Sequence, residues 1–155
     1  MEEVREQLRE AVSEMTKEEL ARRAVAGAHS IGALVLHIGE AEWWWMQCIL
    51  SSHKLTAEDR GKPFWDVLKD GEKFAGLNFT AADCLRTIDE IREQTRQTLA
   101  PFDERDFDRP FSFNLRGTQY EYSLRWILHH LVDHEAQHKG QILMLKRLLI
   151  ESRKS

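Results

Sequence analysis

The chain has 155 residues, of which 42% are hydrophobic and 31% charged, a composition typical of one soluble globular domain covering residues 1–155. Its net charge of −4 argues against a nucleic-acid partner, because phosphate binding needs an excess of positive charge. The sequence has no apolar run of about 18 residues, and its first residues are charged, so we expect a cytoplasmic protein without a membrane span or secretory signal. Cys48 and Cys84 have no CxxC spacing and are predicted to be reduced.

Four helical patterns account for most of the chain. The first covers about residues 2–14, and a capping box at residues 16–19 then opens a further turn through Arg23. The second helix is predicted from Ser30 to about residue 51. These patterns place most of the apolar side chains of the N-terminal third on helix faces.

The second half of the chain has two more helices and two long connections. Residues 51–79 form the first connection, with a short helix predicted at residues 63–69. The third helix begins with a capping box at residues 80–83 and ends at Pro101. Residues 101–122 are predicted to be irregular, although alternating apolar and polar residues around Gly117 permit a small hairpin. Ser123 is the predicted N-cap of the last helix, which extends to about residue 151.

These elements predict an all-α fold, a four-helix bundle in up-down-down-up order. The link between the first two helices is short, so those helices should be antiparallel. The long connection at residues 51–79 can cross the bundle and leave the second and third helices parallel. The second helix then runs antiparallel to the last one.

Three histidines lie on apolar helix stripes at matching heights in this arrangement. His134 and His138 share one face of the last helix, at about 17 and 23 Å from its start, and His37 on the antiparallel second helix lies at about 21 Å. Burying three unpaired imidazoles would be costly, so we predict a metal site at these residues. The simpler alternative is a hydrogen-bonded polar core.

Three other residues near this cluster are candidates for supporting roles. Gln141 lies on the inward face, where its amide can orient an imidazole through the free ring nitrogen; the alternative is a lone polar residue near the bundle end. Glu40 and Glu135 lie near the edges of inward faces and are candidate catalytic proton acceptors. His130, one turn before His134, has no predicted role.

The letters HEAQH at residues 134–138 also satisfy two other metal motifs. In the zinc-protease pattern HExxH, Glu135 would be the base, but too few residues follow for a distant downstream ligand. The ExxH pattern of di-iron bundles needs a second copy on another helix, which this chain lacks. Both interpretations are therefore disfavoured.

Two segments, SIGALVLHIGEAEWWW and RWILHHLVDHEAQHKGQILMLKRL, resemble the DinB/YfiT-like superfamily of metal-binding four-helix bundles. The resemblance covers nearly the whole chain and includes the up-down-down-up order, and HxxxHxGQ is its most specific part. It implies that the metal triad of the family falls on His37, His134 and His138. It also implies a homodimer and a divalent metal, zinc or nickel, with iron or manganese as further candidates.

The resemblance also implies a function. Some relatives are thiol-dependent transferases or isomerases that use low-molecular-weight thiols such as bacillithiol or mycothiol. We therefore predict a metal-dependent enzyme, a thiol S-transferase or one of related hydrolase-type chemistry, whose open coordination position takes water or a thiol that becomes the nucleophile. Its partners would be a small-molecule substrate and the thiol. The alternative is a non-catalytic metal-binding stress-response protein, whose cavity is closed by Trp44 and Trp45; a pocket that reaches the metal favours the enzyme.

Overall fold

The structure, a computed structural model, describes residues 1–152, so the last three residues of the predicted domain lie outside the described residues. The α-helices of this part are α1 (Glu2–Val12), α2 (Lys17–Ala21), α3 (Ile31–Trp43), α4 (Ala57–Gly61), α5 (Lys73–Leu77), α6 (Ala81–Leu99) and α7 (Leu124–Glu151). A π-helical segment, Trp44–Leu50, continues α3, and a short 3-10 turn, Glu104–Asp106, follows α6. The strands are β1 (Pro110–Leu115) and β2 (Thr118–Ser123). No helix in the described range is long and apolar enough to cross a membrane.

The prediction of an all-α four-helix bundle was wrong. The fold is mostly helical, but residues 1–152 contain seven α-helices and a two-stranded antiparallel sheet. Helices α4 and α5 lie in the connection at residues 51–79, and α4 begins at a capping box between Thr56 and Asp59 that the sequence analysis overlooked. The short helix predicted at residues 63–69 is instead a series of turns.

Side-chain caps determine where the main helices begin. Thr16, Thr80 and Ser123 each accept a hydrogen bond from the backbone N–H three residues later, which gives a partner to one of the free donors of the first turn. These are the caps predicted from the sequence. They work through local contacts, so their positions are visible in the sequence itself.

The hairpin covers one side of the π-helical segment. Leu115 pairs with Thr118, which leaves Arg116 and Gly117 as a two-residue turn with φ of 53° and 85°. Two positive φ values in succession are what a type I′ turn requires. Phe113 of β1 packs edge-on against Trp44 and Trp45, with ring centroids 5.6 Å apart in each pair. The hairpin thereby forms part of the surroundings of the candidate site.

Helix α3 lies at the centre of the core. It packs against α6 and α7, and α7 also contacts α1. Gly39 of α3 faces α6 so closely that a Cβ at this position would lie 2.9 Å from the side chain of Ile91 and 3.0 Å from that of Ile88. A glycine is therefore needed for this helix spacing. The close packing holds His37, also on α3, in a defined position.

Four charged side chains, one each from α1, α3, α6 and α7, form a buried ion-pair network that we term the buried quartet: Arg5, Glu42, Arg92 and Glu135. None of them is more than 4% exposed. Arg5 donates hydrogen bonds of 2.5 Å to Glu135 and 2.8 Å to Glu42. Arg92 donates bonds of 2.6 Å to Glu42 and 2.8 Å to Glu135. The quartet therefore connects all four helices that carry its members.

The charges within the quartet compensate each other. Burial by itself disfavours the carboxylate of Glu42, but the hydrogen bond and charge of Arg92 and the charge of Arg5 outweigh it and lower the pKa of Glu42. A buried charge is tolerated when an opposite charge and hydrogen bonds accompany it. Each charged group of the quartet has two partners of opposite sign.

Candidate metal centre

The structure brings the three predicted ligands together. The ring centroid of His37, on α3, lies 5.1 Å from that of His134 and 5.1 Å from that of His138, both on α7. One nitrogen from each ring lies within 4.8 Å of the others, and the Nε2 atoms of His134 and His138 are 3.1 Å apart. Tetrahedral zinc with bonds near 2.1 Å requires nitrogen pairs about 3.4 Å apart. The separation of the two Nε2 atoms on α7 is close to that value.

Glu40 determines the orientation of His37. Its Oε2 lies 3.0 Å from Nδ1 of His37, and its Oε1 accepts a 2.6 Å hydrogen bond from the backbone N–H of Asp66. An ionised carboxylate only accepts hydrogen bonds, so Nδ1 of His37 donates and Nε2 keeps its lone pair. Glu40 is therefore a positioning residue. Because both of its oxygens are engaged, it is poorly suited to the predicted role of proton acceptor.

Gln141 contacts His138 in the same way. Its Oε1 lies 2.8 Å from Nδ1 of His138, one helical turn earlier on α7. An amide oxygen accepts, so Nδ1 of His138 donates and Nε2 is left with its lone pair. The contact matches the orienting role predicted for Gln141, although the side chain is exposed rather than turned inward.

The imidazoles of His134 and His138 are neutral near pH 7. Burial, reinforced by the neighbouring histidines 138, 37 and 130, lowers the pKa of His134 to about 3. Burial also lowers the pKa of His138, although the hydrogen bond to Gln141 opposes the shift. The neutral form is the one that binds a metal ion, so these two side chains need not lose a proton before they bind one.

Glu135 belongs to the buried quartet. Its Oε1 accepts from Arg5 and its Oε2 accepts from Arg92, and the residue is 1% exposed. Both oxygens are therefore occupied by guanidinium groups, and a substrate has no access to them. This placement argues against the predicted role of Glu135 as a proton acceptor.

A cavity of about 530 Å³ is lined by His37, one of the three candidate ligands. Glu40 also lines it, and most of the other lining residues are aromatic or aliphatic: Ala41, Trp44, Trp45, Leu55, Trp65, Leu68 and Leu115. Trp44 and Trp45 thus form walls of the cavity. A cavity of this size lies in the range of small-molecule sites.

A stack of rings flanks the centre on the side of α7. Trp126 stacks on Tyr122 at a centroid distance of 3.8 Å and on His130 at 4.9 Å, and His130 lies 6.0 Å from His134. No role was predicted for these residues from the sequence. The sequence does contain a signal for this stack: Trp126, His130 and His134 are spaced four residues apart, which places them on one helix face.

The buried quartet was also missed in the sequence, although a signal for it exists. Glu40 and Glu42 interrupt the otherwise apolar run of α3. A carboxylate in a buried helix requires a partner, so each of these glutamates predicts a cation or donor on a neighbouring element. Which partner it is cannot be inferred from the run itself.

The comparisons with known proteins agree with the resemblance. A family model described as Mycothiol-S-transferase matches residues 1–149, and this family belongs to the DinB/YfiT-like superfamily, so the predicted resemblance is confirmed. Comparisons with curated proteins and with solved structures gave no significant match. The family suggests a thiol S-transferase, and the cluster of His37, His134 and His138 is compatible with metal binding. The chain belongs to the Mycothiol-S-transferase family.

Proposed function

We propose that the protein is a metal-dependent thiol S-transferase. The observation that carries the proposal is the convergence of one ring nitrogen each from His37, His134 and His138, beside a cavity that His37 lines. Three imidazole ligands suit zinc, nickel or iron better than manganese, which prefers oxygen ligands. Membership in the family supplies the thiol reaction, with mycothiol or another low-molecular-weight thiol as the sulfur donor.

In this mechanism the side chains of the protein bind, orient and exclude water. A divalent metal held by His37, His134 and His138 would supply Lewis acidity, which lowers the pKa of a nearby thiol. Glu40 and Gln141 fix the orientation of two of the imidazoles. The aromatic walls of the cavity exclude water and offer apolar surface to an electrophile. The reaction forms a carbon–sulfur bond, breaks the bond between that carbon and its leaving group, and releases the thiol proton to solvent.

The remaining expectations concern partners and location. We propose small-molecule substrates rather than nucleic acid, which the net charge of −4 supports, and a homodimer, which the family resemblance implies. A reducing compartment such as the cytoplasm suits a thiol reaction, and both cysteines are free. Sedimentation would test the dimer. A mobility shift with sub-micromolar, salt-sensitive DNA binding would contradict the proposal on nucleic acid.

The first test is the metal content of protein purified without a His-tag. We expect about one divalent ion per chain, because three imidazoles bind one ion and leave its fourth coordination position open. Replacing His37, His134 or His138 with Ala should remove most of the ion. His53→Ala should retain it, because His53 bonds to Asp59 outside the cluster. Equal metal content in all four variants would contradict the site.

The second test asks whether a thiol reaches the centre. Addition of a small thiol to the cobalt-substituted protein should produce a sulfur-to-metal charge-transfer band in the near ultraviolet, and His134→Ala should lack it. Cys48→Ala and Cys84→Ala should keep the band, because burial raises the pKa of Cys48 and raises that of Cys84 to about 12. A spectrum that does not respond to thiol would favour a metal-binding protein without catalysis.

A further inference from the structure

Two arginines at the cavity have no acidic partner. Arg60 of α4 and Arg116 of the hairpin turn both line it, together with Lys69. Lys69 is paired with Asp66, whereas neither arginine forms an ion pair within residues 1–152. Both arginine side chains are exposed, so they are accessible to a ligand that enters the cavity.

The acidic residues of the cavity are already engaged. Glu40 accepts hydrogen bonds from His37 and from the backbone N–H of Asp66, and the carboxylate of Asp66 is paired with Lys69. The uncompensated charge at this cavity is therefore positive, on a chain whose net charge is −4. A cationic patch on an otherwise acidic chain favours an anionic ligand at this place.

A third group at the cavity lacks a partner. Trp65, which lines the cavity and is 8% exposed, has its indole N–H buried without an acceptor among the described residues. A buried donor without an acceptor costs free energy. The indole N–H is covered by protein atoms, so among the described residues that line the cavity the accessible cationic donors without an ion-pair partner are those of Arg60 and Arg116.

We infer that this cavity binds a small molecule with an apolar body and a carboxylate, and that Arg60 and Arg116 hold the carboxylate while the reacting atom lies near His37. The inference rests on the proposed S-transferase function, in which the carboxylate belongs to the thiol or to the electrophile. A guanidinium binds a carboxylate through two parallel N–H···O bonds, which a neutral amide cannot reproduce. The arginines therefore select for the acid over the matching amide.

The hairpin turn permits a mild test variant. Arg116 has a φ of 53° and precedes Gly117, and asparagine is favoured at that position of a type I′ turn. Arg116→Asn therefore removes the charge and preserves the turn. Arg60→Gln removes the second charge from an exposed position of α4. Arg22→Gln is the matched control, because Arg22 is exposed, carries the same charge and does not line the cavity.

The activity test uses metal-loaded protein and two thiols, N-acetylcysteine and its amide, with chlorodinitrobenzene as the neutral electrophile. The reaction forms one carbon–sulfur bond, breaks the carbon–chlorine bond, and releases chloride and the thiol proton. If the thiol is the substrate that carries the carboxylate, the acid-to-amide ratio of kcat/KM should fall about threefold in each single variant and about tenfold in the double variant, as expected for solvent-accessible charge pairs. Arg22→Gln should leave the ratio unchanged. Because variants are compared with the wild type, intrinsic differences between the thiols cancel.

A parallel arm identifies which substrate carries the carboxylate. Here the thiol is the neutral amide of N-acetylcysteine. The electrophile is either 4-(bromomethyl)benzoate or 4-(bromomethyl)benzamide. A preference for the acid that depends on Arg60 and Arg116 should occur in one of the two arms. Added salt should weaken that preference, because ions screen exposed charges. Absence of such a preference from both arms of an active enzyme would overturn the inference.

A binding measurement separates this inference from the proposed reaction. The metal-loaded protein is titrated with 4-phenylbutyrate and with 4-phenylbutyramide, and tryptophan fluorescence reports occupancy because three tryptophans line the cavity. We expect tighter binding of the acid, and loss of the difference in the double variant of Arg60 and Arg116. Equal affinities in the wild type, or a preference that survives in the double variant, would overturn the inference. Arginine-dependent binding of the acid without thiol transfer would support the inference and contradict the proposed function.

Discussion

The positions of protons on the three imidazoles determine whether the cluster can bind a cation. His37 donates through Nδ1 to Glu40, and His138 donates through Nδ1 to Gln141, so the Nε2 atoms of both rings carry lone pairs. Without these acceptors, either ring could turn or change tautomer and present an N–H to the centre. In the proposed metal site, the two acceptors would therefore contribute to metal affinity without contacting the metal.

The first prediction concerns Glu40→Gln. The amide keeps the size of the side chain but removes the charge that holds Nδ1–H of His37, so metal affinity should fall about 10- to 100-fold. Competition with a chelator of known affinity would measure the change in metal affinity. Glu10→Gln, an exposed change on α1, should leave the affinity unchanged. An unaltered affinity in Glu40→Gln would contradict the positioning role.

At the scale of the elements, the buried quartet holds four helices in one arrangement. Arg5 and Arg92 each contact both Glu42 and Glu135, so α1 and α6 are connected to α3 and α7. Helices α3 and α7 also carry the three histidines, and Glu135 is the neighbour of His134 in the sequence. The quartet therefore helps to maintain the relative position of the two helices that carry the candidate centre.

The second prediction is that Arg92→Met destabilises the fold by about 3–5 kcal/mol, because two buried carboxylates lose a partner. Combining Arg92→Met with Glu42→Leu should recover more than half of that loss, since the pair of Arg5 and Glu135 then remains balanced. Urea unfolding at neutral pH would measure both variants. A loss below about 1 kcal/mol in Arg92→Met would contradict a strong contribution of the network.

The third prediction is a loss of stability in acid. The pKa of Glu42 is lowered by folding from an ordinary value of 4.5, so its stabilising contribution is complete above that value and is lost as the pH falls through the folded pKa. The free energy of unfolding should therefore decrease as the pH falls below about 4.5. The decrease should be shallower in the double variant that lacks Arg92 and Glu42. Equal slopes in urea titrations over this range would contradict the prediction.

For the whole molecule, the proposed metal site would couple metal binding to folding. His37 and His138 are about a hundred residues apart in the sequence, and they approach each other only when α3 packs against α7. An ion that binds the folded chain and not the unfolded chain stabilises the folded state by mass action. A metal ion bound at this site is therefore expected to hold α3 and α7 together.

The fourth prediction concerns removal of the metal. Zinc at about a thousand times its dissociation constant should raise the free energy of unfolding of the metal-free protein by about 4 kcal/mol. His138→Ala should lose this increment, and His53→Ala should keep it. Urea unfolding in chelator and in zinc, at one protein concentration, would measure the difference. The same increment in His138→Ala and the wild type would contradict the assigned ligands.

Local interactions could be predicted from the sequence by itself. The caps at Thr16, Thr80 and Ser123 act over three residues, so a short sequence window contains both partners. The four-residue spacing of His134 and His138 likewise follows from helix geometry, and the rise per residue predicted the height of His37. These regularities were sufficient to identify the long helices α1, α3, α6 and α7 and the cluster of histidines, but not α4 and α5.

Tertiary packing alone decided the partners of the charged residues and the shape of the site. Arg5 and Glu135 are separated by 130 positions and yet form a hydrogen bond, and no periodicity relates residues so far apart. A glutamate on a helix can face solvent, substrate or an arginine, and the choice depends on which neighbouring helix lies opposite. The same reason applies to the cavity, because its lining combines α3 with the π-helical segment, residues 55–69 around α4, and the tip of the hairpin, which become neighbours only when the chain folds.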